Sequence, residues 1–214
     1  MFEGNYVEAT SLSDLWRDAL WCCVRHGYRQ EVVRGSFTGQ MRLQLPYLTL
    51  RVIQPDKIEY LTPQGINPPT DAERCEAYLM HYLLADHMHG NDYTYGGYIL
   101  DQFNDAVKII RAGQGNQATI QIGNEKSIRL EHPPCLRVIS WKIYDGRLNM
   151  ALYFRSWDLY AGLPENLGGL HLLNKYISCD VGIPTGDIIA FSDGAHVYEH
   201  CWPVVNQMCA EKIK

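Results

Sequence analysis

The chain has no excess of positive charge. A formal net charge of −5 removes the sequence-independent attraction to phosphate backbones, so polymeric nucleic acid is not an expected partner. It also lacks an apolar run long enough to cross a bilayer, and its opening MFEGNYVEAT has neither the basic nor the apolar region of a signal peptide. No membrane partner is expected, and a cytoplasmic location is. The seven cysteines are odd in number and include no CxxC pair, which in a reducing compartment excludes a disulfide framework and a zinc site. Histidines 81, 87 and 89 have no Cys or carboxylate spacing to complete a metal site, so none is expected. There is no internal repeat, low-complexity tract or linker. What is present is an ordinary globular composition, 46% hydrophobic, 20% charged and 11% aromatic over 214 residues, enough for a single domain over 1–214.

Periodicity supplies the elements. Leu12, Leu15, Ala19, Cys22 and Cys23 recur at helical spacing over 11–27, with Ser11 or Ser13 to cap the start and Gly27 the end. Residues 30–60 read as strands broken at Gly35, Gly39 and Pro55-Asp56. Helices are predicted over 70–85, capped by Thr70 or Asp71, and over 98–112. A strand follows at 117–122. Over 135–155 the alternation of Leu148, Met150, Leu152 and Phe154 about Asp145-Gly146 predicts a hairpin, with Arg155 ending its second strand on the polar face. Pro164 places a helix start there and Asn166 in its first turn, running to Gly182. A strand over 187–198 and a short terminal helix complete an α+β chain around one large mixed sheet with helices packed on it.

Four segments combine strand chemistry with reactive polar groups: His132-Pro133-Pro134-Cys135, Arg155-Ser156-Trp157-Asp158, Gly162-Leu163-Pro164-Glu165-Asn166 and Asp193-Gly194-Ala195-His196-Val197-Tyr198. Each alone has a plainer reading: Cys135 as a small buried hydrophobe, Arg155 as a rim charge, Asn166 as a local cap. In this order, with eleven residues from Arg155 to Asn166, they resemble the thymidylate synthase family over roughly 95–200. The variants FRSWD and YTYG look most like its small archaeal members.

The resemblance implies one-carbon transfer to C5 of a pyrimidine nucleoside monophosphate. C5 is a poor nucleophile until a thiolate adds at C6, and Cys135 fills that role. Arg155 would lower the thiol pKa and hold the phosphate, with Ser156 on the same phosphate. The Asn166 amide offers one donor and one acceptor, matching O4 and N3–H of uracil. By resemblance His196 and Tyr198 bind the sugar 3′-hydroxyl, Asp158 contacts the reduced pterin, and Arg34 gives a second phosphate contact. Proton transfers are assigned to Glu76, chosen over Glu73 on the same helix, and to Tyr95. The implied cofactor is 5,10-methylenetetrahydrofolate or a methanopterin equivalent, and the implied assembly is a homodimer.

The pattern departs from bacterial members in places. Gly115-Asn116-Gln117-Ala118 stands where a pair of arginines would reach across the dimer, Leu136 follows the nucleophile where a histidine is usual, and a tryptophan-rich shielding insertion is absent. The expected reaction is dUMP to dTMP. The alternatives are 5-hydroxymethylation of dUMP, dCMP or CMP and, third, a non-catalytic nucleotide-binding module.

Overall fold

The computed structural model describes residues 5–35, 37–90, 92–113 and 116–213. Gly115, in one of the stretches noted above, lies outside them. The fold is the expected α+β one, a large mixed sheet with helices packed on it, and a second, smaller mixed sheet accompanies it. Among the described residues the strands are β1 (Tyr6–Ala9), β2 (Tyr28–Glu31), β3 (Met41–Gln44), β4 (Leu48–Val52), β5 (Thr119–Gln121), β6 (Leu136–Tyr144), β7 (Arg147–Phe154), β8 (Trp157–Asp158), β9 (Thr185–Ser192) and β10 (Ala195–Tyr198). The helices are α1 (Leu12–His26), α2 (Ala72–Tyr78), α3 (Gly96–Arg111), α4 (Gly162–Val181) and α5 (Trp202–Cys209). The six-stranded sheet runs β1-β4-β9-β7-β6-β5 and the four-stranded one β2-β3-β10-β8.

The larger sheet has one covered face. Val7, Leu50, Ala190, Leu152, Ile139 and Ile120 are buried beneath α1, α3 and α4, which pack on these strands. Its other face is a cross-strand row in which Tyr6, Thr49, Phe191, Tyr153 and Val138 are successive partners. Among the described residues helices pack on one of the two faces, and strand alternation leaves hydrophobic Phe191 and Ile189 about 40% exposed on the other.

The hairpin forms as its sequence dictates. Asp145 and Gly146 both take positive φ, 52° and 67°, the conformation of a two-residue turn that follows strand twist. Ser11 caps α1 by accepting from the Asp14 N–H, and Asp71 caps α2 through Arg74 N–H.

Three boundaries differ from expectation. The predicted strand over 187–198 is two strands: Asp193-Gly194 turns the chain so that β9 joins one sheet and β10 the other. The helix predicted over 70–85 ends at Tyr78 and continues as a π-helical turn, Leu79–Leu83. The last long helix begins at Gly162, so Asn166 opens its second turn instead of lying in the first.

Candidate active site

Cys135 immediately precedes β6, where the β6–β7 register shifts between Leu136 and Val138. Bulges of this kind re-aim side chains beside functional sites. Arg155 follows β7 and is tied alongside, its backbone N–H donating to the Cys135 carbonyl at 2.9 Å. Its guanidinium donates from Nε to the Pro134 carbonyl at 3.1 Å and from Nη2 to that of Pro133 at 2.5 Å, leaving Nη2 3.7 Å from Cys135 Sγ. The two prolines thus present the carbonyls that aim the cation at the thiol. Burial pushes the Cys135 thiol above its ordinary pKa, and the Arg155 charge opposes that shift. On the other side the Tyr95 hydroxyl, nearly inaccessible to solvent, accepts from Leu136 N–H at 3.1 Å. Burial keeps this phenol protonated.

The second group is built where β8 meets α4. Trp157 pairs with Ala195 and Asp158 with His196 across β8 and β10, while the Trp157 ring lies flat on Phe154, centroids 3.9 Å apart. Its indole N–H donates to Asn166 Oδ1 at 3.0 Å, and Asn166 Nδ2 donates to the Tyr78 hydroxyl at 2.9 Å. Tyr78 arrives there because α2 crosses α4 at Gly168 and Gly169. A Cβ on Gly168 would fall 2.3 Å from Cys75 Sγ, and one on Gly169 would fall 2.5 Å from the Tyr78 ring. Glycine costs about 1 kcal/mol within a helix, and here it permits the close approach.

Asp158 accepts from the N–H groups of Tyr160 at 3.0 Å and Ala161 at 3.4 Å. Its carboxyl pKa is raised by burial, with those bonds opposing.

These residues surround two joined lobes. An aromatic lobe of about 660 Å³ is walled by Tyr78, Tyr82, Tyr93 and Tyr95 and carries Asp158, Glu165 and Asn166. A cationic lobe of about 620 Å³ holds Arg34, Arg42, Arg155 and Tyr198. Cys135, Ser156 and Tyr93 line both. Such a shape accepts a planar ring at one end and an anion at the other, with the thiol between them.

Arg34 is exposed and donates to the Leu130 carbonyl at 3.1 Å. Arg42 donates to Gln30 at 3.1 Å, and its Nε is buried without a partner among the described residues.

His196 sits against Tyr198, ring centroids 4.5 Å apart. Its Nδ1 lies 2.8 Å from the Gly194 carbonyl, which only accepts, so Nδ1 carries the proton and Nε2 the lone pair. Nε2 is buried with no partner among the described residues. Burial pushes the imidazole pKa down to about 4, so the ring is neutral and offers an acceptor suited to a hydroxyl.

Of the residues singled out in the sequence, the structure brings Cys135, Tyr95, Ser156, Asp158 and Asn166 into the aromatic lobe. Arg34, Arg155 and Tyr198 line the cationic one, and His196 lies behind Tyr198. Glu76 is not among them. Cys75 packs under Gly168 and Tyr78 under Gly169, a helix phase that turns Glu76 to solvent. Sequence reading missed Tyr78, Trp157, Glu165 and Arg42. Tyr78 was legible as the i+3 neighbour of buried Cys75, and Trp157 and Glu165 stood inside two of the four segments without a role of their own, whereas nothing local marked Arg42.

A family model described as thymidylate synthase matches residues 80–214. A protein of Methanosarcina barkeri named "Putative thymidylate synthase" is 27% identical over 213 residues, covering 96% of this chain and 94% of its own. One of the same name from Methanococcoides burtonii is 25% identical with the same coverage. The thymidylate synthase of Listeria monocytogenes is 29% identical over 131 residues, 58% of this chain and 42% of its own. The matched region holds most of the cleft, from Tyr82 through Cys135 and Arg155 to Tyr198, with Arg34, Arg42 and Tyr78 lying before it, and the chain belongs to the thymidylate synthase family, transferases that move a one-carbon unit from a folate-type donor to pyrimidine C5.

Proposed function

We propose that this protein converts dUMP to dTMP, with 5,10-methylenetetrahydrofolate or a methanopterin equivalent as carbon donor. The observation that carries the reading is the placement of Arg155 Nη2 3.7 Å from Cys135 Sγ at the junction of the aromatic and cationic lobes. A nucleotide with its phosphate toward Arg34, Arg42 and Arg155 would lay its base in the aromatic lobe, over the thiol. Arg155 then favours the thiolate and neutralises phosphate charge together.

The thiolate adds to C6, and the electron pair of the C5–C6 double bond moves toward O4, leaving C5 nucleophilic. Asn166 reads the base edge from a fixed orientation, and the Tyr198 hydroxyl meets the sugar, with the neutral His196 ring packed behind it as the acceptor the sugar hydroxyl would reach once Tyr198 gives way. Tyr95, whose hydroxyl borders the nucleophile's strand, exchanges the proton at C5 through ordered water. The aromatic lobe, with tyrosine rings and the half-buried Asp158 carboxyl, fits a flat pterin. When bound, that donor supplies the methylene carbon and the hydride that completes a methyl group. Tyr78, Tyr82 and Tyr93 would exclude water from C5, which favours the methyl over the hydroxymethyl product.

A second copy of the chain is the occupant we assign to the outer face of the six-stranded sheet. There Tyr6, Phe191 and Ile189 are exposed, and Phe191 packs on Tyr153 at 6.0 Å. Light scattering on the purified protein should give the mass of two chains.

Product analysis tests the reaction. Incubation with methylenetetrahydrofolate and dUMP, dCMP or CMP should give a 5-methyl product from dUMP alone. A hydroxymethyl product, or preference for a cytosine nucleotide, would sink this reading.

A further inference from the structure

The chemistry proposed above needs a carboxyl at the base edge, and the residue expected to supply it, Glu76, faces solvent. Two carboxyl groups line the aromatic lobe, those of Asp158 and Glu165. Asp158 is committed to the Tyr160 and Ala161 N–H groups that hold the turn into α4. Glu165 is half-buried beside Asn166, and among the described residues its carboxyl has neither a hydrogen bond nor an ion pair.

We propose that Glu165 is the catalytic acid and base at O4 of the pyrimidine, taking the role the sequence pattern gives to Glu76. This rests on the thymidylate synthase reading and deepens it. As Cys135 sulfur bonds to C6, the C5–C6 π pair shifts through C4 onto O4, which takes the Glu165 proton and leaves a carboxylate. When C5 forms its new bond to carbon, the C4–O4 double bond re-forms and the proton returns to Glu165. No other reactant is consumed in this cycle.

The surroundings suit a carboxyl that holds a proton. Burial raises its pKa, opposed by the Arg74 charge. The other titratable groups of α2 that face it are Cys75 and Tyr78, and burial pushes the Cys75 thiol up to about 11 and the Tyr78 phenol well above its ordinary value. Both stay neutral, which leaves the Arg74 charge as the influence from α2 that opposes burial at Glu165. Its first-turn position in α4 also suits a plain electrostatic role at the helix end, and that role makes a different prediction.

The test is steady-state kinetics of Glu165→Gln and Glu165→Asp with dUMP and methylenetetrahydrofolate, alongside dUMP titration calorimetry and thermal melts. E165Q should lose at least about 10²-fold in kcat while dUMP affinity stays within a few-fold. E165D, which keeps the carboxyl one methylene shorter, should recover part of that loss. An E165Q enzyme that turns over like wild type overturns the assignment, as does a loss of kcat confined to Glu76→Gln. A melting shift in E165Q with kcat unchanged also overturns it and leaves the helix-end role. Failure of the wild-type enzyme to act on any pyrimidine nucleotide would overturn the family chemistry as well, which separates the two failures.

Discussion

The indole N–H of Trp157 donates to Asn166 Oδ1 at 3.0 Å and so fixes which way the Asn166 amide points. An indole nitrogen can only donate, and a flipped amide would set NH2 against it. Uracil presents an acceptor and then a donor along O4 and N3–H, whereas cytosine presents the reverse order and needs the flipped amide. Trp157→Phe frees the rotation. We expect the ratio of kcat/KM for dUMP over dCMP to fall about tenfold, the worth of about one hydrogen bond, and Asn166→Asp to shift preference toward cytosine. An unchanged ratio in W157F would show that Trp157 serves packing alone.

Arg155 should set the ionisation of Cys135. Its charge opposes the upward shift that burial imposes on the thiol, so Arg155→Ala should raise the thiol pKa further. Iodoacetamide labelling of the Cys135 peptide, followed by mass spectrometry across pH, should then reach half-maximal rate at a higher pH than in wild type. A midpoint unmoved or lowered in R155A would contradict the geometry.

Gly168→Ala tests the helix crossing that delivers Tyr78. In an ordinary helix this substitution stabilises by up to about 1 kcal/mol. Here the new Cβ would lie 2.3 Å from Cys75 Sγ, and we expect destabilisation of about 1–3 kcal/mol in urea unfolding, with weaker nucleotide selectivity as Tyr78 is displaced from Asn166.

Much of the scaffold was legible because the forces that build it are local. The Asp145-Gly146 turn, the alternation of β7 and the Ser11 cap each depend on a few neighbouring residues. The division of 187–198 into β9 and β10 was not legible, because residues on both sides of Asp193-Gly194 suit strands and only the partners, β4 and β7 against β3 and β8, separate them. The site shows the same contrast. Cys135, Arg155 and Asn166 stand in a spacing the chain states openly. Glu165, Trp157 and Arg42 gain their positions from the crossing of α2 on α4 and the pairing of the small sheet. Glu76 faces solvent because Cys75 and Tyr78 pack on two glycines of α4, a helix phase that no residue near Glu76 states.

Two buried imidazoles predict acid sensitivity. Burial pushes His171 and His196 down from 6.5 to about 4, so the unfolded chain takes up protons before the folded one does. Their contribution to stability is complete above about pH 6.5 and is lost as pH falls toward 4. Urea unfolding at stepped pH should show that decline, and His171→Leu should flatten it. A decline that begins only below pH 4 would contradict the burial of both rings.

The central claim is that the Cys135 thiolate adds to C6 of a pyrimidine nucleotide. It is tested most directly by intact mass after incubation with 5-fluoro-dUMP and methylenetetrahydrofolate. Fluorine at C5 cannot leave as a proton, so the covalent complex should persist. The account predicts a mass increase equal to nucleotide plus donor in the wild-type protein and none in Cys135→Ala; an unmodified wild-type protein, or an adduct that survives in C135A, would contradict it.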